Sequence, residues 1–594
     1  MRSPHWRWTA AGLCATLCVG CLVVLFGGTR EVDYHFFWTV GFAALIILGG
    51  RGLALENRRE RCCFAVLGML IGGAQALGLR LELAGYTGVR GLLLCLGAGL
   101  GAGPAVGYVL AAAWHGLCHL RLSEKKTYLN EHWVAWGCAA LIFLGWLPVF
   151  LAYWPGISAY DIYTQLDEIF SGQYTNRNPL LHTLLLGAFY RLGQGMGGPA
   201  WGYALFIMMQ MAVMAAAYGA AMGYLWRIGV PRALFFAALV LFALLPVHAM
   251  LAISDTKDGF FVAFLTLLLI RFHRLLRAPD LMRRPGFVAG FVALGTLMCM
   301  MRNNGFVGIL AGLLAGLLAM ERGRRLRLCV LMLGTLGMYM CALGGLKAVC
   351  DASGSLATEL VSVQSQQMGR VYAYYHESEP DDCYEIRTWL PTVEDYTPYT
   401  ADPLKTFAIV NRPDRMWGFL KLWGRVGLKH PVTYLDAWLL TTKGYWYLDD
   451  TTHARIYGEG EGTGLGYLLT NQVEPHGLAS PGVLPGLRKW YERLFTANDY
   501  QRLPVLSLLF APALWVWLAG FLVAAALVGR DRCTLGMLAM VIGCFLPLLC
   551  GACVLIRYAY PFVACVPLML GSALAQQREK LACGELFRHT KKDA

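Results

Sequence analysis

"WVAWGCAALIFLGWLPVFLA" (Trp133–Ala152) runs without a break into "YWPGISAYDIYTQLDEIFSGQYTNRNPLLH" (Tyr153–His182). The first string carries no charge. As a helix it would be about 30 Å long, the thickness of a bilayer's hydrocarbon core. The second string holds three acids (Asp161, Asp167, Glu168), Arg177 and His182. Strings like the first recur along the chain, which is 57% hydrophobic and only 15% charged, with a mean hydropathy of +0.50. A soluble chain would be about a quarter charged. The apolar runs are continuous rather than alternating. That favours helices over a barrel, the two ways of satisfying backbone in lipid. The fold class is therefore an all-α polytopic membrane protein. We count about 14 transmembrane helices plus one short re-entrant or interfacial helix, with a mainly α external domain.

The net charge is +13. Its distribution excludes nucleic acid as the reason, because acids outnumber bases 19 to 14 between Ala348 and Leu503. The excess of bases sits in short loops: Arg51 to Arg61; Arg121 with Lys125 and Lys126; Arg271 to Arg284; Arg322 to Arg327; and Arg530 with Arg532. Basic short loops mark the cytoplasmic side, so both termini are expected there. The first run, from Ala10 to Gly27, follows Arg2 and Arg7 as a signal sequence would. No small-residue cleavage site follows it, and it reads as a retained helix.

Spans near 10–27, 34–50, 63–80, 91–118 and 133–152 leave the chain outside at Tyr153. An odd number of crossings must follow before the basic loop at 271–284, yet four apolar segments are available. The shortest, 179–193, is read as the one that does not cross. "SDTKD" (Ser254–Asp258), "RNNG" (Arg302–Gly305) and Arg557 of "IRYAYP" then fall on the same outer face as the acids. The domain reading is a four-helix membrane segment at 1–130, a membrane core at 131–347 with the acidic loop at 153–178, an external domain at 348–503, three final helices at 504–577 and a cytoplasmic tail at 578–594.

Within the acidic loop, Asp161, Gln165 and Glu168 stand at i, i+4 and i+7 and share one helical face. A carboxylate there suits a general base, with Asp161 and Glu168 the catalytic candidates. A solvated helix face is the plain alternative. Lys257 and Asp258 open a membrane helix, where a Lys can simply snorkel. Arg302 and Asn303 interrupt an apolar run in a turn that needs only its Asn and Gly. His182 sits on a short apolar helix, where packing or capping is the commoner role. Gln165, His182, Lys257, Asp258, Arg302, Asn303 and Arg557 make up the substrate-binding set. Most cysteines lie in apolar runs. Cys350 and Cys383 alone fall in the external segment, and a disulfide between them is expected in an oxidising compartment. No zinc-ligand spacing occurs. "YGEGEGTGLGYLL" (Tyr457–Leu469) lacks phosphate-loop spacing.

The patches "WPGISAYDIYTQ", "RNPLLHTLL", "SDTKDGFF", "RNNGF", "SVQSQQMGRV", "LKHPVTYLDAWL" and "RYAYP", in this order over about residues 130–575, resemble the GT-C superfamily. Within it they look like a largely uncharacterised bacterial polytopic family. GT-C proteins are integral-membrane glycosyltransferases that use polyprenyl-phosphate-linked sugars. The resemblance implies sugar transfer from such a donor to an envelope glycan or protein acceptor, at the outer face of the bacterial cytoplasmic membrane. Asp161 matches the superfamily's loop acid, which implies a base or a carboxylate linked to a divalent metal such as Mg or Mn. Many members place His directly before the Pro. Here Asn178 precedes Pro179 and the histidine is His182. A transporter or flippase for envelope lipids is the main rival reading, and a non-catalytic envelope scaffold or sensor is the second.

Reporter fusions test the loop-charge topology. Fusions after Gln173 and Ser355 should report the outside, and those after Arg277 and Arg324 the cytoplasm. A cytoplasmic signal at Gln173 would put the acids in the wrong compartment.

Overall fold

The computed structural model describes residues 4–25, 58–120, 130–159, 161–353, 357–410, 413–449, 469, 478, 481–495 and 506–582. The span expected at 34–50, the basic loop at 121–126, most of the glycine-rich loop and the tail beyond 582 lie outside the described residues. α1 (Pro4–Leu25) precedes a hairpin of α2 (Arg58–Ala84) and α3 (Gly88–His119). α4 (Glu131–Ala152) is the quoted apolar string; Asn130 caps it by accepting the His132 N–H. Next come α5 (Asp161–Ser171), α6 (Leu180–Gly195), α7 (Pro199–Arg227), α8 (Arg232–Leu244), α9 (Pro246–Ala252) and α10 (Asp258–Arg277). α11 (Pro285–Met301) and α12 (Gly305–Ala319) form a second hairpin, followed by α13 (Arg322–Cys350). The segment beyond holds α14 (Ser362–Tyr375), α15 (Pro380–Trp389), α16 (Pro413–Lys429) and α17 (Pro431–Thr442). α18 (Pro485–Phe495), α19 (Pro512–Val528), α20 (Arg532–Phe545) and α21 (Ile556–Ala582) follow.

Among the described residues no strand occurs, and eight helices are long and apolar enough to cross a membrane. They are α2, α3, α4, α7, α10, α13, α20 with the turn after it, and α21. α8 and α9 pass the same test together, bent by 46°. The helices α11, α12 and α19 are apolar but shorter, as is the stretch Gly12–Leu22 within α1. The protein is thus a polytopic helical membrane protein.

The α8–α9 bend has a local cause. Pro246 has no N–H and cannot bond the carbonyl four residues back. That carbonyl belongs to Phe242, and the Trp146 indole N–H of α4 donates to it at 2.9 Å. A buried carbonyl in lipid needs such a partner.

Charged pairs gather at one end of the bundle: Arg227 with Glu131 (3.1 Å), Arg277 with Glu579 (2.6 Å) and Arg324 with Asp280 (3.6 Å). α6 does not reach that end. The His182 ring, near its start, packs on Phe206 of α7 at 5.5 Å. Near its other end a Cβ on Gly193 would fall 2.4 Å from the Gly202 nitrogen. Both ends of α6 therefore rest on the first third of α7.

At the end opposite the basic loops, two short backbone pairings lock the connections together. Ile157 donates to the Ile253 carbonyl (2.9 Å) and accepts from Asp255 (3.3 Å); Ser353 likewise donates to the Tyr174 carbonyl and accepts from Asn176, both at 3.0 Å. Gly156 makes the first pairing possible. Its φ of +141° suits glycine, and a Cβ there would lie 2.7 Å from Ile207 and 3.0 Å from the Ile253 carbonyl.

The segment from 357 to 449 has its own apolar core, including Met368, Ile386, Val393, Phe419, Leu422 and Val426. The last three recur at helical spacing on α16. The expected break near His430–Pro431 is present, with Pro431 opening α17. The expected Cys350–Cys383 bridge is not formed. Cys383 is buried in α15 beside Glu379 and Asp382, Cys350 ends α13, and both are free thiols.

This segment is fastened to the α2–α3 hairpin. Lys443, fully buried, pairs with Glu82 and lies over the Tyr399 and Tyr447 rings, 5.7 Å from each. Gln75 donates to the Trp446 carbonyl and accepts from the Leu448 N–H, both at 3.0 Å. Asp436 accepts from the Thr87 N–H at 3.2 Å and from its hydroxyl. Removing one partner of a buried ion pair strands the other charge. Glu82→Leu leaves Lys443 buried without its carboxylate and should therefore destabilise the protein by about 3 kcal/mol and speed amide exchange at 443–448, while Glu82→Leu/Lys443→Met should recover most of the loss. Unchanged exchange in the single variant would show that this pair is not the fastening.

Candidate functional site

The site forms where four connections meet: α4 to α5, α6's start, α9 to α10, and the α11–α12 turn, with the first turn of α21 beneath them. Gln210 of α7 holds the α9–α10 connection from below. Its amide N–H₂ donates to the Leu251 (3.3 Å), Ala252 (3.0 Å) and Ser254 carbonyls. The Tyr203 hydroxyl donates to the Ile157 carbonyl at 2.8 Å and fixes the α4–α5 connection. Neither polar side chain stands out in sequence, because each lies inside an apolar run.

Asp161 opens α5. Its Oδ2 lies 3.4 Å from Arg557 Nη1 and 3.7 Å from Lys257 Nζ. Three segments far apart in sequence thus converge on one carboxylate oxygen. Burial opposes ionisation of Asp161, but Lys257 and Arg557 outweigh it and hold the carboxyl well below the usual range. Lys257 also donates to Asn178 Oδ1 at 3.1 Å, and Asn178 donates to the Thr164 hydroxyl at 3.0 Å. The residue before Pro179 is therefore part of the site.

A second pair lies alongside. Arg302 Nη1 donates to Asp258 Oδ1 at 2.6 Å, with the two side chains 9% and 1% exposed. The Asp161 and Lys257 side chains are more open, at 26% and 22%. Arg302 and Arg557 stand 5.3 and 5.1 Å from the Tyr558 ring. Asn303 donates to the Asn176 carbonyl at 3.3 Å and ties the α11–α12 turn to the loop before α6.

The remaining expected residues sit apart from this contact. Gln165, on the face expected, is buried and meets His182 Nδ1 at 3.2 Å. Burial and the Lys257 charge push the imidazole down to about 3 against the pull of Asp161, so His182 is neutral at ordinary pH. That rules it out as a cation and fits a polar spacer between α5 and α6. Glu168 accepts from the Thr175 hydroxyl at 2.5 Å and shares no ion pair with Lys257 or Arg557 among those recorded for the described residues. Burial raises its carboxyl despite the Thr175 hydrogen bond. The shared face of Asp161, Gln165 and Glu168 is real, but the three side chains meet different neighbours.

Two further groups belong here. Asp255 is buried and accepts the Ala159 N–H at 2.9 Å; burial drives its carboxyl well up. Tyr445, from the far segment, is buried with its ring edge-on to Phe545 at 4.8 Å. Burial raises its phenol, with Tyr558, Arg302 and Arg557 close enough to act on it. The sequence signal for Asp255 is its place in "SDTKD", beside Lys257 and Asp258. Tyr445 has none, being one of many aromatic residues in its segment.

A divalent cation does not fit this arrangement. Asp161 is taken by two cationic side chains, Asp258 by a third, and Asp255 is driven toward its neutral form. Among the described residues no group of three or more His, Cys, Asp or Glu side chains could hold a metal.

A family model described as "Family of unknown function (DUF6020)" matches residues 171–585. The match includes Lys257, Arg302 and Arg557 and begins at the last residue of α5, so Asp161 lies just before it. No curated protein and no solved structure matches the chain.

Because it leaves Asp258 buried and uncompensated, Arg302→Gln should cost about 3–5 kcal/mol of stability, and Arg302→Gln/Asp258→Asn should cost less. Thermal unfolding in detergent reads both. A single variant as stable as the wild type would free Arg302 from a structural role.

Proposed function

The chain belongs to the DUF6020 family, which brings no activity with it, and we propose from the outer-face geometry that it is a GT-C-type glycosyltransferase. In this reading the bundle has fourteen crossings and one partial helix, α6. The basic loops and termini face the cytoplasm of a bacterial cell, and the 348–503 segment faces outward. The observation that carries the reading is the convergence of Lys257 and Arg557 on Asp161, beside Arg302, at one face of the bundle. It joins a carboxylate to two cations, and in the proposed topology these lie at the depth of an outer-leaflet lipid phosphate.

The reaction follows from these groups. The donor is a sugar bonded through its anomeric carbon to a polyprenyl phosphate, and the acceptor is an envelope glycan or protein. Asp161 takes the proton of the acceptor hydroxyl. The acceptor oxygen bonds to the anomeric carbon as the bond from that carbon to the phosphate oxygen breaks. The phosphate leaves with the bonding pair, and Lys257 and Arg557 stabilise its charge. A single displacement of this kind inverts the anomeric centre. Glu168, bonded to Thr175, is placed to shape the loop rather than to share the proton.

One observation favours a transporter instead. The α8–α9 span is broken, and His248 just beyond the break bonds Tyr560 at 2.9 Å, which in turn meets Tyr218 at 2.7 Å, all buried inside the bundle. Broken helices with buried polar groups are a transporter device. Lipid flux in proteoliposomes without turnover would support that reading.

The test is transfer from a synthetic polyprenyl-phosphate sugar by purified protein. Asp161→Asn keeps the size but cannot take the proton, and should lower turnover about 10²–10⁴-fold with folding intact. Full turnover in that variant would remove Asp161 from the chemistry.

A further inference from the structure

The geometry points to Asp161 as a built-in occupant of the anion seat, which an incoming phosphate must displace from Lys257 and Arg557. The inference deepens the proposed function and rests on it for the identity of the anion. Both cations meet the same oxygen, Oδ2, at 3.4 and 3.7 Å. A phosphate monoester, the group that the proposed transfer leaves on the lipid, presents oxygens to the same cations and gains more from them than a carboxylate, because it carries more charge and more acceptors; the diester of the sugar donor carries a single charge, like Asp161, and competes with it on even terms. The two carboxylate pairs differ in how readily they open. Asp258 and Arg302 are 1% and 9% exposed and bonded at 2.6 Å, so that pair is a fixed part of the wall. Asp161 and Lys257 are 26% and 22% exposed, and their contacts are longer. Arg557 also has the Tyr558 hydroxyl at 3.4 Å, and Lys257 has Asn178, so both cations stay oriented when the carboxylate leaves.

Displacement does two things at once. It places the phosphate on Lys257 and Arg557, and it releases Asp161 from the two charges that make it a poor base. The carboxylate gains proton affinity only when a phosphate occupies the seat. No atoms are exchanged in this step; one ion pair replaces another. An empty site holds a quenched base.

The prediction runs opposite to that for an ordinary ligand. Asp161→Asn removes the competitor and should bind phosphate about tenfold more tightly than wild type, as expected if the free seat is populated about a tenth of the time. Two probes separate the sources of the anion: dodecyl phosphate in detergent for a lipid phosphate, and inorganic phosphate for a free one. A gain with dodecyl phosphate alone assigns the seat to a lipid headgroup, and a gain with both assigns it to phosphate in general. Asp161→Asn/Arg557→Gln should lose the gain. Equal or weaker binding by folded Asp161→Asn overturns the proposal, as does absence of binding in both proteins. A second measurement needs no variant. In the wild type, dodecyl phosphate should increase carbodiimide labelling of Asp161, read by peptide mass spectrometry, because the released carboxyl is more readily protonated. Unchanged or reduced labelling overturns the proposal. Neither assay uses a sugar or an acceptor. Failure of transfer would therefore leave the displacement standing, and failure of displacement would leave transfer untouched.

Discussion

Backbone that leaves a helix inside this bundle must find a new partner, and the site depends on where those partners stand. Gln210 is the clearest case. One side-chain amide serves three carbonyls at the end of α9. Without it the "SDTKD" turn would carry unpaired oxygens in a low-dielectric setting, at a cost of several kcal/mol each in hydrocarbon. With it, Asp255 reaches back to Ala159, Ile157 pairs with Ile253, and Lys257 is presented to Asp161. Trp146 performs the same service for the carbonyl that Pro246 abandons. The irregular stretches that carry the site are thus held by polar side chains projecting from otherwise apolar helices.

Much of this could be read from residues alone. Length and hydropathy disclosed the polytopic helical class, and eight of the described helices are long and apolar enough to cross a membrane, because hydropathy is a sum over many residues. The segment that the odd-crossing argument set apart is α6, whose ends both meet the same third of α7. The convergence of Lys257, Arg302 and Arg557 followed from topology. What they converge on did not. Sequence spacing shows which residues share a helical face, but not which side chain from another segment lies opposite. Arg302 and Arg557, equal in prospect, proved to have different partners, Asp258 and Asp161. Asp255 escaped notice because burial rather than spacing sets it apart. The Cys350–Cys383 bridge was argued from compartment alone, and distance within a fold is not legible from compartment.

The ion pairs of the site also differ in kind. A closely bonded, buried pair mainly defines a shape, since either charge alone would be costly. A looser and more open pair can exchange partners. Having both side by side gives the site a stiff wall and one replaceable contact. Its central ring, Tyr558, lies near both guanidinium groups and helps keep them apart.

The fastening of the 443–448 strip to the α2–α3 hairpin bears on how the polypeptide is parsed. Ser171 is where family likeness begins, yet Gln75, Glu82 and Thr87 all lie upstream of it, and each grips a residue downstream. Tyr445 belongs to that strip and packs edge-on against Phe545. A fragment cut at the family boundary would lose its catalytic candidate and also the partners that hold the 443–448 strip. The boundary of likeness is therefore not a boundary of folding, and the upstream helices act as an internal brace for machinery encoded hundreds of residues later.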